Sequence, residues 1–342
     1  LLAGLLVLDD VVLANRKLWQ AYDPDDHLER VQGCQRRRHD LVFIGGSPVA
    51  EGIDPALLEG VSWHGRPLGG AYNLGLPGGT TSEFWHAVRH GITTPTRLVV
   101  YGITASDVND SRDEPHDPHS LMDAHDVLHW VQARPSAAEW CVRHFVQGQI
   151  TKVWKLYQYR NGIRLWAADQ VEQLRPGTFT DAVIEAREGR RYSAALKRAD
   201  GYAPRPSVQA GRLDQLKAAG AVNWRFDFLQ NFRLGGHLGY LHRLLDWANH
   251  HGVDMVLVDM PVSADLEERL WPEAFARYRQ ALAEVERSRG VLVLRGSRAA
   301  VGLTDADFAD LVHLNASGTA RLGSWLRRQL EKAGSPTQGG SR

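Results

Sequence analysis

The chain has 342 residues, with 40 Lys+Arg set against 40 Asp+Glu, so overall charge offers no basis for holding a nucleic acid or a polybasic membrane patch. A hydrophobic content of 43% and eleven Trp exclude global disorder, and the length suffices for one elaborated domain or two smaller ones. Cys34 and Cys141 form no zinc-binding pattern and read as unpaired thiols.

The first residues, Leu1-Leu2-Ala3-Gly4-Leu5-Leu6-Val7-Leu8, are apolar but fall short of the roughly 20 residues needed to cross a bilayer. They carry no basic region or small-residue cleavage site of a signal peptide. Helical spacing continues through Val11, Val12, Leu18 and Trp19. Residues 1–20 therefore read as the end of a longer membrane helix leading into a stalk that reaches residue 37, with an amphipathic helix packed on the domain as the alternative. The run Arg36-Arg37-Arg38 reads as a solvated turn or a stalk near lipid headgroups.

Five strands are expected, at Leu41–Ile44, Ala71–Leu74, Leu98–Tyr101, Met255–Val258 and Val291–Leu294. Four of them are near-continuous apolar runs, the pattern of parallel strands buried on both faces. Helical patterns at Ser82–His90, Leu238–His250, Pro272–Arg289 and Ala316–Leu330 alternate with them. The alternation predicts a three-layer α/β/α sandwich over residues 38–333 around a five-stranded parallel sheet. Residues 111–234 break the rhythm and read as a large helical insertion, with helical pieces at Ala137–Tyr159 and Leu213–Gly220 and an irregular piece at Asp200–Pro206. Residues 334–342 (GSPTQGGSR) read as a disordered tail.

Chemistry concentrates at the two ends of this domain. The first strand ends in Gly45-Gly46-Ser47-Pro48, where glycines allow a sharp turn and proline suits a helix start. A serine there can attack a carbonyl while its own N–H helps hold the oxyanion; it can equally be a plain N-cap. Near the other end, Asp310 lies three residues before His313, close enough to fix the imidazole tautomer, and Asn315 suits the cap of the last helix. The second strand ends in Asn73-Leu74-Gly75, and Gly75 can turn a backbone N–H toward the same crevice.

These three blocks occur in the order found in the SGNH (GDSL-like) hydrolase superfamily, and the chain resembles that superfamily over about residues 38–110 and 236–332. Its DxxHLNxxG block is similar to that of the membrane-anchored polysaccharide O-acetyltransferase-like and DltD-like branches. The resemblance implies a flavodoxin-like SGNH fold, a Ser47 nucleophile, a His313 base, an orienting Asp310 and an oxyanion hole that includes the N–H groups of Ser47 and Gly75. It implies a serine-dependent acyl-ester hydrolase or O-acyltransferase of a membrane-anchored, extracytoplasmic kind, without cofactor or metal. The substrate would be an acylated, in the first instance acetylated, carbohydrate or cell-envelope polymer. Two departures stand out. Gly-Gly-Ser replaces the usual Gly-Asp-Ser, and no Gly-x-Asn-Asp follows the third strand, so the third oxyanion donor is either Thr104, in strict register, or Asn109, which is preferred. The Thr104 departure also fits a different class of protein, a non-catalytic module binding glycan or a membrane-bound acyltransferase partner.

Other candidates carry less. The stretch 107–129, with Asp107, Asp110, Asp113, His116, His119 and His125 among its members, has metal-ligand types but no ligand spacing and reads as a solvated loop. His86 and His90 lack the Glu of a metallopeptidase helix. Trp140, Trp154 and Trp166 read as core, with a sugar-stacking platform as the alternative.

Overall fold

The computed structural model describes residues 2–22, 27–92, 96–111, 123–124, 127–128, 131, 138–178, 187–188, 191, 197–204 and 229–335. Helices α1 (Leu2–Ala14), α2 (Arg16–Tyr22) and α3 (His27–Gln35) precede β1 (Leu41–Gly45), which runs into the short α4 (Ser47–Gly52). A hairpin of β2 (Ser62–Trp63) and β3 (Arg66–Pro67) leads to β4 (Ala71–Gly75), α5 (Thr81–Gly91) and β5 (Leu98–Ile103). Helices α6 (Ala138–Val153), α7 (Lys155–Gln158), α8 (Arg160–Leu174) and α9 (Gly236–His251) come next, then β6 (Asp254–Asp259) and a π-helical turn, Asp265–Leu270. Helix α10 (Pro272–Arg289), β7 (Leu292–Arg295), α11 (Arg298–Val301) and α12 (Ala316–Ala333) complete the fold.

The chain divides into two compact units, residues 1–29 with 117–197, and residues 30–116 with 198–342. These limits differ from the expected stalk ending at 37 and insertion at 111–234. The reason is an apolar cluster in the first unit. Val12, Trp19 and Tyr159 are buried together, with Leu156, Ile163 and Trp166 packed on them. Trp166 meets Trp19 edge-on at 5.5 Å, and Tyr22 Oη donates to Asp169 at 2.6 Å. Val12, Trp19 and Tyr22 of the first helices are thus buried within this unit. Among the described residues no helix is long and apolar enough to cross a membrane. The expected helix at 213–220 and residues 336–342 of the expected tail lie outside the described residues.

In the second unit all five expected strands form one parallel sheet in the order β4-β1-β5-β6-β7. Every residue of β1 and β5 is buried, as continuous apolar runs require when both faces are covered. Leu41, Phe43, Leu98, Val100, Val256, Val258 and Leu294 form one face and share a core with Trp325, Leu326 and Leu330 of α12. On the other face, Phe84 of α5 meets Tyr101 edge-on, and Tyr278 of α10 donates to the Ile103 carbonyl at 2.9 Å. The result is a three-layer α/β/α sandwich with flavodoxin-like strand order. Strand order reverses between β1 and β5, which opens a crevice at their carboxyl ends. Ser47 follows the carboxyl end of β1.

Candidate active site

The turn from β1 into α4 is set by glycine. Gly45 has φ +146, and a Cβ on it would lie 2.4 Å from the Gly102 carbonyl oxygen and 2.5 Å from Val49 Cγ2. Only glycine tolerates both the dihedral and the contact. Gly46 is the N-cap of α4 and Pro48 occupies its first turn. Ser47 is therefore the first helical residue, and its hydroxyl does not cap the helix. It lies 2.8 Å from His313 Nε2.

His313 is held by a closed loop. Asp310 Oδ1 accepts the backbone N–H groups of Val312 (3.0 Å) and His313 (2.9 Å), and both carboxylate oxygens lie 2.8 Å from His313 Nδ1. A carboxylate only accepts, so Nδ1 carries the proton and Nε2 is left to accept from the Ser47 O–H. The loop is closed by the bridge Phe308–Leu314 and by Ala309 N–H donating to the His313 carbonyl at 2.8 Å. Asn315 caps α12, its Oδ1 accepting from Ser317 and Gly318 N–H.

Asp307, buried at the base of this loop, accepts from Thr304 N–H and Oγ1 and from Ser317 Oγ. Burial opposes its ionisation, but these hydrogen bonds and the Arg321 guanidinium hold its carboxyl below the ordinary value. A depressed carboxyl stabilises the fold above its unfolded pKa near 4, and that contribution is lost as pH falls through the folded value. We expect Asp307→Asn to lose stability at neutral pH and to show a smaller further loss than wild type between pH 5 and 2, read by denaturant titration.

The other expected residues are placed differently. Gly75 packs against α4 so closely that a Cβ on it would lie 2.5 Å from Ala50 N. Its N–H donates to Asn73 Oδ1 at 2.9 Å, so in this structure it is engaged within the scaffold. Thr104 N–H donates to Asp107 Oδ2 at 2.7 Å and its hydroxyl pairs with Ser106 Oγ. Asn109 has 0% exposure, and its Oδ1 accepts from Ser111 N–H, Ser111 Oγ and Arg233 N–H. Its carbonyl oxygen thus braces the loop. The structure thus brings Ser47, His313 and Asp310 together, while Gly75, Thr104 and Asn109 make internal hydrogen bonds. The Ser47 N–H, in the first turn of α4, has no intrahelical acceptor.

Three features escaped the sequence reading. Asp107 Oδ1 sits 3.4 Å from where a Cβ on Gly46 would be, so a carboxylate from the β5 loop borders the space left by the missing Asp of Gly-Asp-Ser. Glu51, four residues after Ser47 and hence on the same side of α4, places Oε2 3.8 Å from His313 Nε2. The strap 198–204 lies along α4, with Ala203 N–H donating to the Ala50 carbonyl at 3.2 Å and Arg198 bonded to Asp54 at 2.7 and 3.0 Å. Tyr202 of this strap hydrogen-bonds Thr319 of α12. Burial, reinforced by the Asp54 and Glu51 charges, pushes its phenol above the ordinary value.

Most of the 107–129 stretch, including Asp113, His116, His119 and His125, lies outside the described residues. Among the described residues no three His, Cys, Asp or Glu side chains are grouped to hold a metal ion. His86 is buried beside Tyr240. Of the tryptophans, Trp166 is core and Trp154 is partly exposed beside Tyr157; the Trp140 side chain lies outside the described residues. Cys34 is a free, buried thiol, which burial pushes up to about 12.

No protein-family model matches the chain, and no curated protein matches it. Among solved structures it is similar to a Bacteroides fragilis protein provisionally assigned as an acylhydrolase, with 11% identity, 89% of this chain and 94% of that one covered, and a TM-score of 0.40.

Proposed function

We propose that the protein is a serine-dependent acyl-ester hydrolase or O-acyltransferase acting on an acylated, chiefly acetylated, carbohydrate or cell-envelope polymer. The observation that carries the reading is the continuous chain of hydrogen bonds from Ser47 Oγ to His313 Nε2 at 2.8 Å and from Nδ1 to Asp310 at 2.8 Å. Ser47 and His313 come from positions 266 residues apart. A chance helix cap and a chance surface histidine have no reason to meet in that geometry. Ser47 Oγ attacks the acyl carbon as its proton passes to Nε2, and Asp310 stabilises the imidazolium. The Ser47 N–H faces charge developing on the carbonyl oxygen. As the tetrahedral intermediate collapses, Nε2–H protonates the departing alcohol. Water or a carbohydrate hydroxyl then attacks the acyl-enzyme by the reverse proton path.

The membrane-anchored, extracytoplasmic branch of the resemblance enters this proposal as well. What supports it is the apolar surface that α1 exposes at Val7 (62%), Leu8, Val11 and Leu13. A second reading, a non-catalytic module that binds glycan or a membrane-bound acyltransferase, is favoured by one observation. The backbone N–H and hydroxyl of Thr104, where strict register would put the third oxyanion donor, are both engaged inside the scaffold with Asp107 and Ser106.

The test is acetate release from an acetyl ester with and without a soluble oligosaccharide. Ser47-dependent release is the expected result, and an acetylated oligosaccharide among the products selects transfer. Release that no acceptor alters selects hydrolysis, and no release from any acetyl ester selects the binding module.

A further inference from the structure

Glu51 has no part in the proton path from Ser47 to Asp310, yet it stands beside it. Its Oε2 is 3.8 Å from His313 Nε2, the nitrogen that also meets Ser47 Oγ at 2.8 Å. Nε2 must protonate the departing alcohol oxygen and later deprotonate the incoming one. That oxygen therefore comes within about 3 Å of Nε2, which puts it no more than about 7 Å from the Glu51 carboxylate. The acyl carbon is bonded to Ser47 Oγ, so of the reacting atoms of the substrate it is the alcohol oxygen that Nε2 itself contacts. The Glu51 side chain keeps 13% of its surface and that of His313 10%, so a ligand can touch both. The Glu51 backbone lies on α4, which Asn73 Nδ2 ties down through the Val49 carbonyl and, just past the helix, the Ile53 carbonyl.

Resting on the ester-chemistry reading above, we infer that Glu51 is a specificity-determining residue that reads the alcohol half of the substrate. Its carboxylate accepts a hydrogen bond from a second hydroxyl next to the reacting oxygen, as a sugar or other polyol provides, and repels an alcohol that carries negative charge. A carboxylate accepts at two oxygens and donates at none. Within 7 Å and partly out of water, its charge acts on an anion with little screening.

The experiment compares kcat/KM for three acetyl esters, of glycerol, of propanol and of glycolate, in the full chain. Wild type is expected to favour the glycerol ester over the propyl ester, and to disfavour the glycolate ester, each by about tenfold or more. Glu51→Gln, which keeps an acceptor but loses the charge, should raise the glycolate-to-propyl ratio about tenfold and keep most of the glycerol preference. Glu51→Ala should lose both discriminations. Unchanged ratios in both variants, with Ser47-dependent acetate release in wild type, overturn the inference alone. Absence of release from all three esters by wild type overturns the ester reading, and this inference with it.

Discussion

Replacing Ser47 by alanine is expected to lower kcat on an acetyl ester by about 10⁴-fold or more while the melting transition stays that of wild type. The hydroxyl is the only group that can form the acyl-enzyme, and residual rate comes from binding and the oxyanion donors alone. Asp310→Asn should cost on the order of 10³–10⁴ for a more specific reason. An asparagine amide presents an N–H₂ to His313 Nδ1 and selects the tautomer with the proton on Nε2. That nitrogen then cannot take the Ser47 proton. The loop itself tolerates the change, since the backbone N–H groups of Val312 and His313 can still donate to the remaining carbonyl oxygen at the Asp310 position. Steady-state kinetics on both variants, with thermal melts beside them, check this. Because the three side chains act as a unit, the double variant should lose little beyond the Ser47→Ala loss.

The second large effect is expected at Asn73, a residue that touches no part of the proton path. It is fully buried. Its Nδ2 donates to the carbonyls of Val49 and Ile53, each at 2.7 Å, and its Oδ1 accepts from Gly75 N–H. The carbonyls at the end of a helix need partners from outside it, and Asn73 supplies one to Ile53 and a second one to Val49, which also accepts from the Ile53 N–H. Asn73→Ala leaves the Ile53 carbonyl and the Gly75 N–H buried without this partner. At about 1–3 kcal/mol for each such group, partly relieved by relaxation, a loss of about 3 kcal/mol is expected. Activity should fall as well, by about 10²-fold in kcat, because α4 carries Ser47 and a displacement of about 1 Å costs that much. Chemical denaturation and kinetics on the same preparation test both parts. A variant that loses stability yet keeps full kcat would show that Ser47 is positioned by other means.

The sheet was readable in the sequence because both faces of its inner strands are buried, so that Leu41–Ile44 or Leu98–Tyr101 needs no partner to be recognised. The one strand with a polar residue, Ala71–Leu74, owes it to Asn73, whose role depends on α4 and leaves no periodic trace. Ser47, Asp310 and His313 were visible because turn chemistry and an i, i+3 pair are local patterns. What the Asn109-Asp110 pattern could not disclose is that the Asn109 carbonyl oxygen braces Ser111 and Arg233. Glu51 was hidden because one acid on a short helix looks like a solvated residue until His313 is brought to it from 262 positions away. The strap 198–204 carries neither helical nor strand period. It is held by single bonds such as Asn73 N–H to the Asp200 carbonyl and Arg30 Nη1 to the Gly201 carbonyl. The cluster that joins Val12 and Trp19 to Tyr159 and Trp166 pairs distant segments, which hydrophobic spacing alone does not disclose.

Intact-mass and peptide mapping after exposure to a fluorophosphonate probe tests most directly whether Ser47 is a nucleophile activated by His313. The predicted result is one adduct on the peptide containing Ser47, lost in Ser47→Ala and strongly slowed in His313→Ala. Absence of an adduct on folded wild type, under conditions that label a control serine esterase to completion, or an adduct on a different serine, would contradict it.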